Sequence, residues 1–271
     1  MNWWEAALLG LVQGLTEFLP ISSSGHLVLG KYLLGIDPAG ADNVTFEVFV
    51  HFGTVLSILT VYRYEVLALL RKSLAAARTP GKFAGHYRRE EEVRTAVFIL
   101  ITMIPTGLVY VLFKDFLESR FGDPHFVAGM LIVTGVLLLL TLLRKNPDGP
   151  ITPGKAFLIG TAQSAAMIPG ISRSGATICT ALYLNVTPRR AADFSFLMLL
   201  PVVLGATLLK SLEMAEQGIS MGWLPLFIGT VVAYVSGVAA IKLLLDVIRR
   251  GNLAYFAYYC FLVGTLGLIF I

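Results

Sequence analysis

The chain has 271 residues, of which 56% are hydrophobic and 14% charged, with 21 Lys and Arg against 17 Asp and Glu, a net charge of +4. A soluble domain of this length carries about 25% charged residues, so a water-soluble all-α core is excluded in favour of an integral membrane protein. The basic residues sit in clusters between long apolar runs, a pattern that reads as membrane orientation and not as nucleic-acid binding.

The N-terminus, MNWWEAALL, has no basic region ahead of its apolar run, so no cleaved signal peptide is expected. From there the polar, Gly/Pro-broken segment 6–36 is too interrupted to form one straight span. Spans are expected at 44–62, 95–113 and 126–143, then at 191–211, 222–245 and 253–271, each near the 17–25 apolar residues that a bilayer needs. A second broken segment, 156–186, lies between the two sets. The stretch from Arg63 to Arg94 reads as a basic loop. Arg144, Lys145 and Lys155 form a second basic cluster, Arg189 and Arg190 a third, Arg249 and Arg250 a fourth. All four should be cytoplasmic, and the connections near 114–125 and 212–221 should face outward.

This arrangement forces 156–186 to enter and leave on one side. Its halves, divided at Pro169-Gly170, are about a dozen residues each, which suits a re-entrant helical hairpin. Segment 6–36 is divided the same way at Pro20. The two segments also repeat each other at a constant offset of 150: Gly10, Gln13, Ile21, Ser22, Ser24 and Gly25 match Gly160, Gln163, Ile171, Ser172, Ser174 and Gly175. The expected fold is all-α, with two inverted-topology repeats, 1–143 and 150–271. Each is one re-entrant hairpin followed by three transmembrane helices, with the two Ser-x-Ser-Gly tips meeting near the midplane. Ordinary kinked spans are the plainer reading, but the loop charges would then require a different topology.

The chemistry concentrates at these tips. Glu17 is a carboxylate in an apolar segment, where charge is costly and by default functional. Gln13 lies one turn earlier on the same face. Glu17 is a candidate ligand for a hard cation, with Gln13 beside it, or a base acting on a nucleophile. His26 follows the serine loop and is a candidate general acid or base, against a structural role bonded to a carbonyl. Serines 22, 23 and 24, and Ser172 with Ser174, precede helices. Capping accounts for some of them, but three in a row exceed what one cap needs. Helix N-termini suit phosphate, Arg173 grips it bidentately, and Thr177 adds a hydroxyl one turn on. Glu47, His51 and Asp193 are weaker signals read as packing or helix pairing. Cys179 and Cys260 are isolated, and no Walker loop, Gly-x-Gly-x-x-Gly or zinc spacing occurs. Small residues between Gly229 and Gly237 permit a homodimer without requiring one.

The stretches QGLTEFLPISSSGH (Gln13 to His26) and PGISRSGAT (Pro169 to Thr177) resemble one family, the bacterial undecaprenyl-diphosphatases, also called bacitracin-resistance proteins, and length and span pattern agree along the whole chain. The resemblance implies removal of the terminal phosphate from undecaprenyl diphosphate, a lipid of the cytoplasmic membrane. This recycles the carrier for peptidoglycan synthesis, at a site open to the outer face and dependent on Mg²⁺ or Ca²⁺. The family allows Glu or Gln at the first motif position, so Gln13 leaves Glu17 as the dominant ligand. On this reading Arg173 and the cation bind the diphosphate. Ser23 is the first choice of nucleophile, aided by Glu17 or His26, and attack by water is the runner-up. A lipid-phosphate flippase or ion-coupled transporter on the same inverted repeats is the alternative from another class.

Overall fold

The computed structural model describes residues 1–36, 41–143, 148–217, 221–250 and 252–271, and among them the chain is helical, with one isolated bridge between Gly149 and Val186. Helix α1 (Trp3–Phe18) starts at a reciprocal cap in which Asn2 Oδ1 accepts from the Glu5 amide while Glu5 Oε2 accepts from the Asn2 amide. It stops before Pro20, and α2 (Ser23–Leu33) begins after the four residues 19–22, of which Ser22 is its cap. The second broken segment is built alike. Thr152 caps α8 (Pro153–Ala165), with Pro153 in the first turn, and Ser172 caps α9 (Arg173–Tyr183).

The remaining long helices are α3 (Ala41–Val61), α6 (Glu91–Arg120), α7 (Pro124–Leu139), α10 (Pro188–Gln217), α11 (Trp223–Arg250) and α12 (Ala254–Phe270). Among the described residues four segments, Glu91–Arg120, Pro124–Leu143, Pro188–Leu209 and Trp223–Arg249, are long and apolar enough to cross a bilayer. The pair Thr45–Val61 and Arg63–Arg78 makes a fifth if it counts as one bent span, and α12, expected to span, is a shorter apolar helix. The surface fits lipid better than water. On α6 the side chains of Leu100, Ile104, Leu108 and Leu112, one turn apart, are each about 60% exposed or more.

The basic stretch expected as a loop is helical. Residues Arg63–Arg78 form α4, and a single turn at Pro80–Lys82 leads to α5 (Phe83–Arg89). Charge content marks the side of the membrane on which a segment lies, not its conformation. Arg144 and Lys145 lie outside the described residues, as do positions 218–220 of the connection expected to face outward.

The two halves interlock. Helix α1 lies against α11 and α8 against α6, and each contact is backbone on backbone. A Cβ added to Gly10 would stand 2.5 Å from the Gly229 carbonyl oxygen, and one added to Gly160 would stand 2.6 Å from Thr102 Cα. So the equivalent glycines of the two copies each dock on a helix of the other half. The small-residue stripe on α11 does not offer a dimer surface. Gly229 abuts the Phe46 ring and Gly237 abuts Ser57, both on α3 of the same chain. Beneath the two hairpins Phe18 meets Phe196 edge-on at 5.7 Å, and Tyr62 meets Phe196 at 5.9 Å.

Candidate active site

The two hairpin tips touch, and they do so reciprocally. A Cβ on Gly25 would lie 3.4 Å from Gly170 Cα, and one on Gly175 would lie 3.4 Å from Pro20 Cβ; these are equivalent pairs with the copies exchanged. Ser174 Oγ donates to the Leu19 carbonyl at 3.2 Å, and the Gly170 amide reaches Ser24 Oγ at 3.5 Å. Within each tip the geometry repeats. Ser22 Oγ accepts from the Gly25 amide at 3.2 Å and Ser172 Oγ from the Gly175 amide at 3.1 Å, while Ser22–Ser24 and Ser172–Ser174 are both 3.3 Å apart.

The backbone of the tips is specified tightly. Gly170 has φ +95°, and a Cβ there would lie 2.4 Å from the Val127 carbonyl oxygen. Thr134 on α7 donates to the Gly170 carbonyl at 3.0 Å and accepts from the Ser172 amide at 2.9 Å, holding the second tip in place. Gly170→Ala combines a left-handed backbone with a clash and is expected to cost about 3 kcal/mol or more. The apparent melting temperature of the purified protein should fall by several degrees; an unchanged value would refute this account of the turn. Ser22 also sits at positive φ, +71°, without being glycine, the kind of strained residue that collects at functional sites.

One carboxylate gathers the site. Glu17 is buried, and its Oε2 accepts from Ser23 Oγ at 2.7 Å and from Gln13 Nε2 at 3.0 Å, while its Oε1 accepts from Arg173 Nη2 at 3.0 Å. Arg173 also donates through Nη1 to the Ser195 carbonyl at 3.2 Å. A buried charge without a partner would be prohibitively costly, so the Glu17–Arg173 pair is what lets both charges stand in this interior. It fixes to each other two residues 156 positions apart, one in each hairpin.

The other candidates separate by exposure. Ser23, Ser24, His26 and Arg173 are only partly buried. Ser22, Ser172, Ser174 and Thr177 are buried, and their hydroxyls are engaged inside the protein: the first two as caps, Ser174 across the tips, and Thr177 with the Arg173 carbonyl at 2.8 Å and Ser195 Oγ at 2.6 Å. His26 is turned away from Ser23. Its Nδ1 lies 2.7 Å from the Ser22 carbonyl and so donates, leaving Nε2 to accept from the Tyr259 hydroxyl at 2.9 Å. The imidazole and the Tyr259 ring are nearly parallel, 5.5 Å apart.

Of the weaker signals, Glu47 pairs with buried Lys31 and Asp193 pairs with Arg189 at 2.8 Å while accepting from Tyr62 Oη at 2.7 Å. His51 does otherwise. Its Nδ1 donates to the Glu47 carbonyl at 2.7 Å, and Nε2 faces Glu17 Oε2 at 3.9 Å. His51, Ser195 and Tyr259 therefore belong to the site's surroundings. A His one turn after Glu47 was a visible signal for the first. Nothing in the sequence marks the other two, a serine and a tyrosine inside apolar helices.

The residues around Glu17 suit a hard cation. Gln13 Oε1 is buried without a hydrogen-bond partner beside the carboxylate. An orphaned amide oxygen next to a carboxylate is an oxygen donor set of the kind Mg²⁺ or Ca²⁺ takes. Gln163 has the same orphaned oxygen, but Met167 stands where Glu17 stands in the first copy, so the second lacks the charge. Among the described residues no three His, Cys, Asp or Glu side chains gather as a metal cluster.

A family model described as Bacitracin resistance protein BacA matches residues 6–266. The chain belongs to this family. Among its curated relatives, the undecaprenyl-diphosphatase of Salinibacter ruber is 63% identical over 268 residues, covering 99% of each chain. Those of Bacteroides fragilis and Halothermothrix orenii are each 40% identical, covering 99% of this chain and 98% of theirs. In BacA-family terms, both tips and all of Gln13, Glu17, Ser23, His26 and Arg173 fall within the matched span.

Proposed function

We propose that this chain removes the terminal phosphate of undecaprenyl diphosphate, yielding undecaprenyl phosphate and inorganic phosphate. It would thereby recycle the lipid carrier of cell-wall synthesis and confer resistance to bacitracin. The observation that carries the reading is the Glu17 carboxylate, which accepts from the Ser23 hydroxyl and pairs with the Arg173 guanidinium at once. A nucleophile and an anion anchor thus converge on one buried carboxylate, which serves as the base. The names of the relatives, all undecaprenyl-diphosphatases at full coverage, support the same substrate.

The mechanism follows from which atoms are already paired. Arg173 turns part of its planar fork from Glu17 to the terminal phosphate and draws it against the open side of the tips. Ser23 Oγ attacks the terminal phosphorus, and its proton passes to Glu17 Oε2, the oxygen it already touches. The bond between phosphorus and the bridging oxygen breaks, and the proton leaves with the prenyl monophosphate. Water then cleaves the phosphoserine, giving its proton to Glu17 and releasing phosphate while Ser23 regains its hydroxyl. The negative charge that grows during both transfers faces Arg173 and the N-termini of α2 and α9. Gln13 and Glu17 would hold a divalent cation, which when bound neutralises charge on the diphosphate oxygens. His26, linked to Tyr259, orients the start of α2 rather than taking the serine proton. Buried Ser22, Ser172, Ser174 and Thr177 shape the loops that present the donors.

The site would open to the outer face of the bacterial cytoplasmic membrane, with the basic clusters inside and the two repeats inverted relative to each other. The prenyl tail then stays in lipid while its headgroup meets polar backbone at membrane depth.

The test is phosphate release from a long-chain polyprenyl diphosphate by the detergent-purified protein, with Mg²⁺, with Ca²⁺ and with EDTA. Release is expected with a divalent cation and at least a hundredfold slower, roughly, after chelation, the loss expected when a charge-neutralising group leaves such a site. A well-folded sample that releases no phosphate, yet translocates lipid monophosphate across proteoliposomes, would replace the phosphatase reading with a transporter.

A further inference from the structure

We propose that α4 is an in-plane membrane helix that seats its leucine stripe in the acyl boundary and its arginines on anionic phospholipid headgroups, a proposal that rests on the membrane reading but not on the phosphatase. The first observation is a bend. At Tyr62 the chain turns by 84° between Thr45–Val61 and Arg63–Arg78, so that if α3 crosses the bilayer, α4 runs along its surface.

The second is the distribution of side chains around α4. One face carries Val66, Leu69 and Ala76; the first two pack against the main core, and Ala76 is fully buried. A second face carries Ala68, Lys72 and Ala75, and Lys72 reaches Glu92 of α6 at 2.7 Å. The third carries Leu67, Leu70 and Leu74, all more than half exposed, at the i, i+3, i+7 spacing of a single stripe. That third face also carries Arg63, Arg71 and Arg78, all exposed. Helical geometry places them within the same arc as the leucines, one turn before, beside and after.

The third observation is charge. From Arg63 to Arg89 there are seven basic residues (Arg63, Arg71, Lys72, Arg78, Lys82, Arg88, Arg89) against one acid, Glu65. An apolar stripe interleaved with arginines is poorly matched by water, by bare hydrocarbon or by an apolar protein groove. It is matched by the boundary of a bilayer with negative headgroups, where leucines reach the acyl chains and arginines extend back to phosphate.

The full-length protein in lipid nanodiscs tests this, spin-labelled at single cysteines, since Cys179 and Cys260 are buried. Labels at Leu67→Cys, Leu70→Cys and Leu74→Cys should collide with oxygen, which concentrates in lipid. Labels at Ala68→Cys and Ala75→Cys should collide with a water-soluble nickel complex. In phosphatidylglycerol discs the oxygen-to-nickel ratio of the stripe should be at least about twofold that in phosphatidylcholine discs, and R63Q/R71Q/R78Q should erase the difference. Nickel-accessible stripe labels would overturn the proposal, as would a stripe shielded from both reagents by a protein partner. A ratio indifferent to lipid charge would overturn the anionic assignment. A label at Leu108→Cys on α6 reports on the membrane reading itself: if it too met nickel, that reading would fall and the placement of α4 with it, whereas nickel at the stripe alone overturns only the placement of α4.

Discussion

Arg173→Ala will slow phosphate release severely, lowering kcat/KM by about a thousandfold or more, in the range that removal of a charge-stabilising arginine from a phosphoryl-transfer site produces. The loss has two sources that can be told apart. Removing the guanidinium takes away the group that meets the developing phosphate charge. It also leaves Glu17 buried beside a cavity without its counterion, which costs about 3–5 kcal/mol for a pair of this kind. Arg173→Lys separates them, because an ammonium keeps the charge but not the fork. It should melt closer to the parent than Arg173→Ala does while remaining severely slowed. The measurements are single-substrate kinetics and thermal unfolding in the same detergent. If Arg173→Ala turned over at more than a tenth of the parent rate, the Arg173 guanidinium would have no part in the chemistry.

Ser23→Ala will cost still more if the hydroxyl is the attacking group, about ten-thousandfold or greater, as loss of a nucleophile does elsewhere. The geometry makes this a discriminating variant. Ser23 Oγ donates to Glu17, so its removal takes one hydrogen bond from a carboxylate that keeps Arg173 and Gln13. Stability should change by only about 1 kcal/mol. A folded, inactive Ser23→Ala with intact substrate binding is the expected result. A folded Ser23→Ala that retains turnover would transfer the attack to a water held by Glu17. Mass spectrometry of protein quenched during turnover supplies an independent readout: an added phosphate on Ser23 is required by the covalent path.

The hairpins and their meeting were legible because the same letters occur twice. A polar pattern repeated inside apolar sequence has few explanations other than a shared structural unit. Glu17 and Arg173 were legible for a related reason: a charge is conspicuous where solvation is costly. What stayed hidden was either ordinary in type or remote in sequence. Tyr259 is one aromatic among several in an apolar helix, and its bond to His26 spans 233 residues. Ser195 supplies a backbone carbonyl to Arg173, and a carbonyl has no sequence signature. The roles of the serines could not be divided by sequence, because a cap and a phosphate ligand call for the same residue at the same helix end. Burial divides them, with Ser22, Ser172 and Ser174 inside and Ser23 only partly buried. The charges between Arg63 and Arg94 speak to a side of the membrane and say nothing of the helix within Arg63 to Arg78. Its helical form comes from Leu-, Ala- and Arg-rich composition and from packing on α6.

Ser23 and Arg173 occupy the same place in the two copies, and both reach the same carboxylate, which only the first copy has. This bears on ancestry. A homodimer of single repeats would carry one residue at both positions, either two serines without an anchor or two arginines without a nucleophile. On the proposed mechanism, this division of labour can arise only after the two copies are encoded separately and free to differ. Divergence of the copies therefore comes before an asymmetric centre, and a dimer of one identical repeat could present only a symmetric one.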